Sequence, residues 1–196
     1  MSIVGSEQNS GKVAELRLVD ALPRDRHGVR VRQLRHADAE AFARGAEDED
    51  VKRYGHLPLP KYTPEIVRDQ IDGVIADGLA DGSLAVLAIS DTGTDELLGS
   101  IVLFDVRGDR AEIGFWLAPW ARGRGAVHAA VSALASAARD AGITVLDART
   151  VPENAASCRA LVKAGFVQVG EPREATTPSG QQLVALSFER PVTSAD

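Results

Sequence analysis

The sequence predicts a mixed α/β domain: one central, mostly antiparallel twisted sheet flanked by about four helices. Three observations predict it. Apolar and polar residues alternate through many short runs, as in half-buried strands. In the middle of the chain three such runs follow one another across short turns, which suits antiparallel neighbours. A long alanine-rich helical segment then leads into another strand-like run, as a crossover connection does. We read residues 28–196 as a single domain and residues 1–27 as an N-terminal extension, a frayed tail plus an extra strand.

Composition narrows the function classes. A chain of 196 residues is long enough for one substantial core, and 44% hydrophobic with 26% charged residues describes a folded soluble chain. The formal charge of −6 argues against nucleic acid as a partner, which calls for a basic stripe. No run of 18 apolar residues suggests a membrane span, and "MSIVGSEQNSGK" has no apolar centre like that of a signal peptide. The expectation is a cytoplasmic protein. Cys158 stands alone, which excludes an internal disulfide and a multi-cysteine zinc site, and no metal is expected.

The elements follow in order. "AELRLVDA" and "GVRVRQLR" alternate as strands, with "LPRDRH" as the turn between them. "HADAEAFARGAEDEDVKRYG" reads as a helix with Asp38 as N-cap, and its acidic "EDED" (47–50) as a solvated helix end or a lure for a cationic ligand. "HLPLPKYTP" is a proline-broken loop. Thr63 caps the next helix, Pro64 takes its first position, and "EIVRDQIDGVIADGL" carries the apolar face. "SLAVLAIS", "LLGSIVLFDV" and "AEIGFWLA" are strands joined by the turns "DTGTDE" and "RGDR". The long helix spans Gly125 to Ala141 and ends at Gly142. "ITVLDART" is predicted to be a strand buried on both sides, because it follows a crossover. Asn154 opens a last helix closed by Gly165, and "FVQVGE", "TTPSG" and "QQLVALSFE" make a final hairpin.

The richest motif lies at 115–130, "FWLAPWARGRGAVHAA", a strand running through glycines into a helix. A phosphate-binding GxxxxGK[ST] loop is excluded, because no lysine here is followed by Ser or Thr. A dinucleotide fingerprint fits Gly123 and Gly125 but meets His128 where its third glycine should stand. That fold also turns directly off its strand, whereas Pro119 to Arg122 intervene here. What survives is an anion site: open N–H groups at a helix start, backed by its dipole, with glycines that keep side chains out of the way.

"AEIGFWLAPWARGRG", followed at the right distance by "NAASCRALVKAGF" and preceded by "DVKRYGHLPLPKYT", resembles the GNAT superfamily of acyl-CoA-dependent N-acyltransferases, in its RimJ/RimL-like branch. The resemblance spans roughly 29–190 and implies a GNAT fold with a splayed strand pair in its sheet. Arg122, Gly125 and Val127 match its pyrophosphate pattern, Val127 being bulkier than the usual Gly or Ala. It implies acetyl-CoA as co-substrate on the loop Arg122, Gly123, Arg124, Gly125, Ala126 and Val127 and along the strand ending in Leu117 and Ala118, with Leu117 as an N–H donor. The partner would be an amine acceptor, either a protein N-terminus or a small molecule, and a homodimer is the expected assembly. The alternative within the same fold is an acyl-CoA-binding or regulatory module.

Alternation within "AEIGFWLA" puts Ala111, Ile113, Phe115 and Leu117 on a core face and Glu112, Gly114 and Trp116 on the other, a floor with a carboxylate and an aromatic wall. By resemblance Glu112 is the base that deprotonates the amine; the plainer reading is a solvated strand carboxylate. Asn154 is a good N-cap and, by resemblance, also touches the cofactor arm. The family's tyrosine acid is replaced here by Leu161; by resemblance to RimL-like members Ser157 is the candidate proton donor, with water as the alternative. Cys158 has no neighbouring base and reads as a small hydrophobe. Asp147 reads as a strand-end carboxylate and His128 as a surface histidine. Tyr54 and His56, on the proline-rich loop, fall where the resemblance puts the acceptor.

Overall fold

The computed structural model describes residues 18–177 and 180–193. Leu18–Ala21 is a 3-10 turn, Arg24–Arg26 forms β1 and Val29–Gln33 forms β2. The predicted first strand is therefore corrected over its described part, and its residues 14–17 lie outside the described residues. Pro23 has no N–H for a ladder, so pairing starts after it, inside what had read as a turn. The reversal itself uses His27 and Gly28, both at positive φ, as a two-residue hairpin turn requires.

The single predicted helix over 36–55 is two. A 3-10 turn at His36–Asp38 runs into α1 (Ala39–Ala46), and α2 (Glu49–Tyr54) begins afresh. Asp48 breaks the run: its backbone is extended and its carboxylate accepts from the N–H groups of Asp50 and Val51, a cap that starts a second helix. Asp38 precedes α1 but its side chain makes no cap, because Arg32 and the Arg35 N–H take it instead. Thr63 does cap α3 (Pro64–Gln70). A π turn at Ile71–Ile75, with Gly73 outside helical geometry, separates α3 from α4 (Ala76–Asp81).

β3 (Leu84–Asp91), β4 (Leu97–Arg107) and β5 (Arg110–Leu117) form the antiparallel meander. The crossover helix α5 (Ala126–Asp140) then brings β6 (Val145–Thr150) alongside β5. The helix α6 (Ala155–Lys163) and the hairpin β7 (Val167–Thr176) and β8 (Gln182–Pro191) complete a sheet of order β1-β2-β3-β4-β5-β6-β8-β7. Its neighbours pair antiparallel except β5 with β6, which are parallel because α5 carries the chain back to the same end.

The sheet separates two cores. Alanines 129, 130, 133, 137 and 138 bring α5 close against one face, with Leu87, Ile101, Ile113, Leu146 and Leu161. On the other face Phe42, Tyr62, Val67 and Trp116 pack under α1 and α3. The strand β6 is not buried on both sides as expected: Leu146 and Ala148 are buried, whereas Asp147 and Arg149 point to a polar face. Asp147 is paired with Arg110, which also reaches Glu189, so it is a structural ion-pair member. No helix among the described residues is long and apolar enough to cross a membrane.

One polar group sits deep in this frame. Arg32 is 3% and Asp38 5% exposed. They form a bidentate pair at 2.7 and 2.9 Å, and Asp95 takes the Arg32 Nε at 2.8 Å. Burial works against the Arg32 charge, yet Asp38 and Asp95 outweigh it and its pKa ends above the ordinary arginine value. Truncating one partner leaves a buried cation short of an acceptor. We expect Asp38→Ala to cost about 3 kcal/mol, the low end because Asp95 remains, seen as a lower urea midpoint with an unchanged slope.

Candidate functional site

The site starts where β5 and β6 part. Their parallel ladder runs from Arg110↔Val145 to Ile113↔Ala148 and stops there, although both strands continue. The Ala118 N–H bonds to the Leu98 carbonyl at 2.9 Å, so even-numbered residues of β5 face β4. Odd-numbered residues, Phe115 and Leu117 among them, then aim their main-chain groups into the gap beside β6. The Leu117 N–H thus faces the gap, whereas the Ala118 N–H is taken and the residue is fully buried.

The gap opens into a cleft of about 1090 Å³. At one end lies the glycine loop. Gly123 and Gly125 have φ of +76° and +75°, and a Cβ on either would meet only open space. These glycines are needed for backbone conformation, not for clearance from protein. Gly125 caps α5, whose first main-chain bond is Ala129 N–H to the Gly125 carbonyl. The N–H groups of Ala126, Val127 and His128 therefore make up the unpaired first turn. Val127 is half-buried, packs on the first core and lines the cleft, so its bulk is absorbed by the fold.

Arg122 borders the cleft and is already engaged: it pairs with Asp48 and, at 3.0 Å, with Asp50. Within the "EDED" run Asp48 is thus held in place, while Glu49 stays solvated. Burial alone would raise the Asp48 pKa, but Arg122 and the capped N–H groups of α2 bring it below the ordinary carboxylate value. Arg124 points elsewhere, into a separate hollow with Arg44, Asp91 and Trp120. His128 is half-buried and stacks on the exposed His27 at 6.3 Å.

At the other end lies the carboxylate. Glu112 is 6% exposed and its Oε1 accepts from the Arg149 Nε at 2.8 Å. This hydrogen bond leads the effects that raise the Arg149 pKa. Arg149 is the residue sequence reasoning missed; only the period-two alternation of β6, Asp147 and Arg149 against Leu146 and Ala148, could have flagged it. Trp116 edges the cleft but is 7% exposed and meets Phe42 edge-on at 5.0 Å, with Gly45 beneath its ring. It belongs more to the second core than to an exposed wall.

Asn154 caps α6 through the Ser157 N–H at 3.0 Å, and both residues line the cleft. Leu161 is buried in the first core, so the position of the family's tyrosine is spent on packing. Cys158 is unpaired and half-buried against the same core. Tyr54 and His56 close the far side. His56 sits at φ +46°, and burial pushes its pKa below the ordinary histidine value. The structure thus gathers Tyr54, His56, Glu112, Trp116, Leu117, Arg122, Gly123, Val127, Asn154 and Ser157 around one cleft, and leaves Ala118, Arg124, Gly125 and Ala126 out of its lining. Among the described residues no group of three His, Cys, Asp or Glu could hold a metal ion.

A family profile described as "Acetyltransferase (GNAT) domain" matches residues 29–167. No curated protein sequence matches the chain. Among solved structures, a GNAT-family acetyltransferase from Bacillus anthracis is 23% identical with a TM-score of 0.70, over 86% of this chain and 97% of that one. Mycobacterium smegmatis RimJ in complex with CoA-disulfide is 20% identical at TM-score 0.71, over 87% and 86%. Spermidine N-acetyltransferase from Vibrio cholerae, in complex with CoA and spermine, is 14% identical at 0.68, over 84% and 96%. At these identities the likeness is one of fold.

The His56 shift has a measurable sign. A histidine with a depressed folded pKa binds its proton more weakly folded than unfolded. Its contribution to stability is complete above the unfolded value, about 6.5, and is lost as pH falls through the folded one. We expect His56→Gln to flatten the stability profile in the window just below that value, in urea melts taken across it.

Proposed function

Because the chain belongs to the GNAT acetyltransferase family, we propose that it is an acyl-CoA-dependent N-acyltransferase, moving acetyl from acetyl-CoA to a primary amine through a ternary complex. The observation that carries this reading is continuity: one cleft joins the open first turn of α5 to Glu112 through the β5–β6 gap. The likeness to RimJ supports placing it in the RimJ/RimL-like branch, with a protein N-terminus or a small amine as acceptor.

The residues present fit the cofactor. Space around Gly123 and Gly125 and the unpaired N–H groups of α5 suit a pyrophosphate. Main-chain groups of β5 beyond Ile113 suit an extended amide-bearing arm, which Asn154 would touch beside its capping bond. Bound acetyl-CoA supplies the activated thioester.

Glu112, directly or through a water, takes the proton of the attacking amine. The amine nitrogen bonds to the acyl carbon as the carbon–sulfur bond breaks, with the Leu117 N–H aimed at the carbonyl oxygen where charge develops. The Ser157 hydroxyl gives its proton to the departing thiolate and recovers one from solvent. Arg122, already held by Asp48 and Asp50, takes part only as far as a phosphate competes with those carboxylates.

Thiol release from acetyl-CoA, measured with a panel of peptides and small amines, tests this. We expect amine-dependent turnover, a loss of about a hundredfold in kcat for Glu112→Gln and about tenfold for Ser157→Ala. Full kcat in both variants would overturn the assignments. Acetyl-CoA binding without turnover on any amine would make the chain a binding or regulatory module.

A further inference from the structure

We propose that the acceptor is an amine with an apolar side chain and a carbonyl or carboxylate on the adjacent carbon, read by Arg149 and by an apolar pocket on β3 and β4. The inference rests on the acyltransferase reading above and names its substrate class.

Charge comes first. The ionisable side chains lining the cleft are His56, Asp50 with Arg122, Glu112 with Arg149, and Glu153 on the exposed rim. Glu112 is paired with Arg149, and Asp50 shares Arg122 with Asp48, so the carboxylate at the transfer end is not an open anion awaiting a polycation. Arg149 engages Glu112 through Nε alone, and among the described residues its two terminal nitrogens have no protein acceptor. Its side chain is 39% exposed, against 8% for Glu112. An amine delivered to Glu112 therefore meets guanidinium donors next to it. Those donors suit an oxygen three bonds from the nitrogen, the geometry of an α-amino carbonyl compound.

Shape gives the side chain. Phe104 lies opposite Glu112 and Val102 opposite Gly114, while Leu84 and Val86 continue the same face across β3. All four are half-exposed into the cleft, and Leu84, Val102 and Phe104 belong to neither core cluster. A Cβ at Gly114 would meet Val102 Cγ1 at 3.3 Å, so glycine there keeps the pocket open beside the carboxylate. Apolar surface left this way beside a polar pair matches an apolar substituent on the acceptor.

Initial rates with acetyl-CoA and L-leucine, L-leucinamide, glycinamide, isoamylamine, spermidine and a leucine-initiated tripeptide test this, in wild type and Arg149→Met. We expect leucinamide to exceed glycinamide and isoamylamine by at least tenfold in kcat/KM. Arg149→Met should lower kcat/KM for leucinamide at least tenfold more than for isoamylamine, the extra loss lying in KM, with Arg149→Lys in between. Preference for free leucine or for the tripeptide upholds the proposal equally and identifies the source. Isoamylamine or spermidine turned over as well as leucinamide would overturn it while leaving the acyltransferase reading intact. So would a kcat loss shared by all amines in Arg149→Met, which would make Arg149 only a positioning residue for Glu112. Absence of turnover with every amine would remove both readings together.

Discussion

The ladder between β5 and β6 ends at Ile113 and Ala148, and the cleft exists because it ends there. A parallel pair continued to Leu117 would spend its main-chain groups on β6 and close the sheet. Two features stop it. Pro119 cannot donate and turns the chain into a 3-10 segment, and α6 starts at Ala155, drawing the chain beyond β6 away from β5. What remains is a row of polar backbone groups that β6 does not pair, at the mouth of a largely apolar cleft. Unpaired groups of that kind are costly without an acceptor or donor, and a ligand arm bearing amides would supply both.

Around this gap the fold arranges its charges in pairs. Glu112 with Arg149, and Asp48 and Asp50 sharing Arg122, offset most of the charge beside the cleft, although the chain carries −6 overall. Net charge is therefore a poor guide to what enters. The excess of acids lies elsewhere on the molecule, and local pairing decides which polar atoms face a ligand. One deep pair is different in kind: Arg32 with Asp38 and Asp95 pins β2 to the start of α1 and to the β3–β4 turn, holding the cleft's walls in register.

Much of this was legible in the sequence, and the limits have physical causes. The meander, the crossover helix and the caps at Thr63 and Asn154 were readable because each rests on local chemistry: alternation, turn residues, side chains that cap. The split at Asp48 was not, since a carboxylate in a helical run can cap or face water with equal ease until a partner 74 residues away is known. The same holds for Arg149, whose meaning comes from a strand 37 residues earlier in the chain. Alternation separated the two faces of β5 but could not show that Trp116, at the edge of the cleft, also packs under α1, because it cannot tell a face under a helix from a face under a ligand. The two-sided burial predicted for β6 failed because a crossover guarantees a helix on one face, not on both.

Arg122 ties the two halves of the cleft together. Asp48 caps α2 and pairs with Arg122; α2 leads directly into Tyr54 and His56 on the opposite wall. A phosphate settling on the first turn of α5 would compete for the same guanidinium, and Asp48 would then keep its cap bonds but lose its cation. Burial disfavours the Asp48 charge, so the capped N–H groups alone would have to hold it. The start of α2, and with it the Tyr54–His56 wall, is thereby the part of the fold whose energy depends on what occupies the glycine loop. That makes Arg122 a link between the glycine loop and the Tyr54–His56 wall of the cleft. Pairing a loop arginine with a helix-capping carboxylate is enough to produce such a link, with no moving part beyond one side chain.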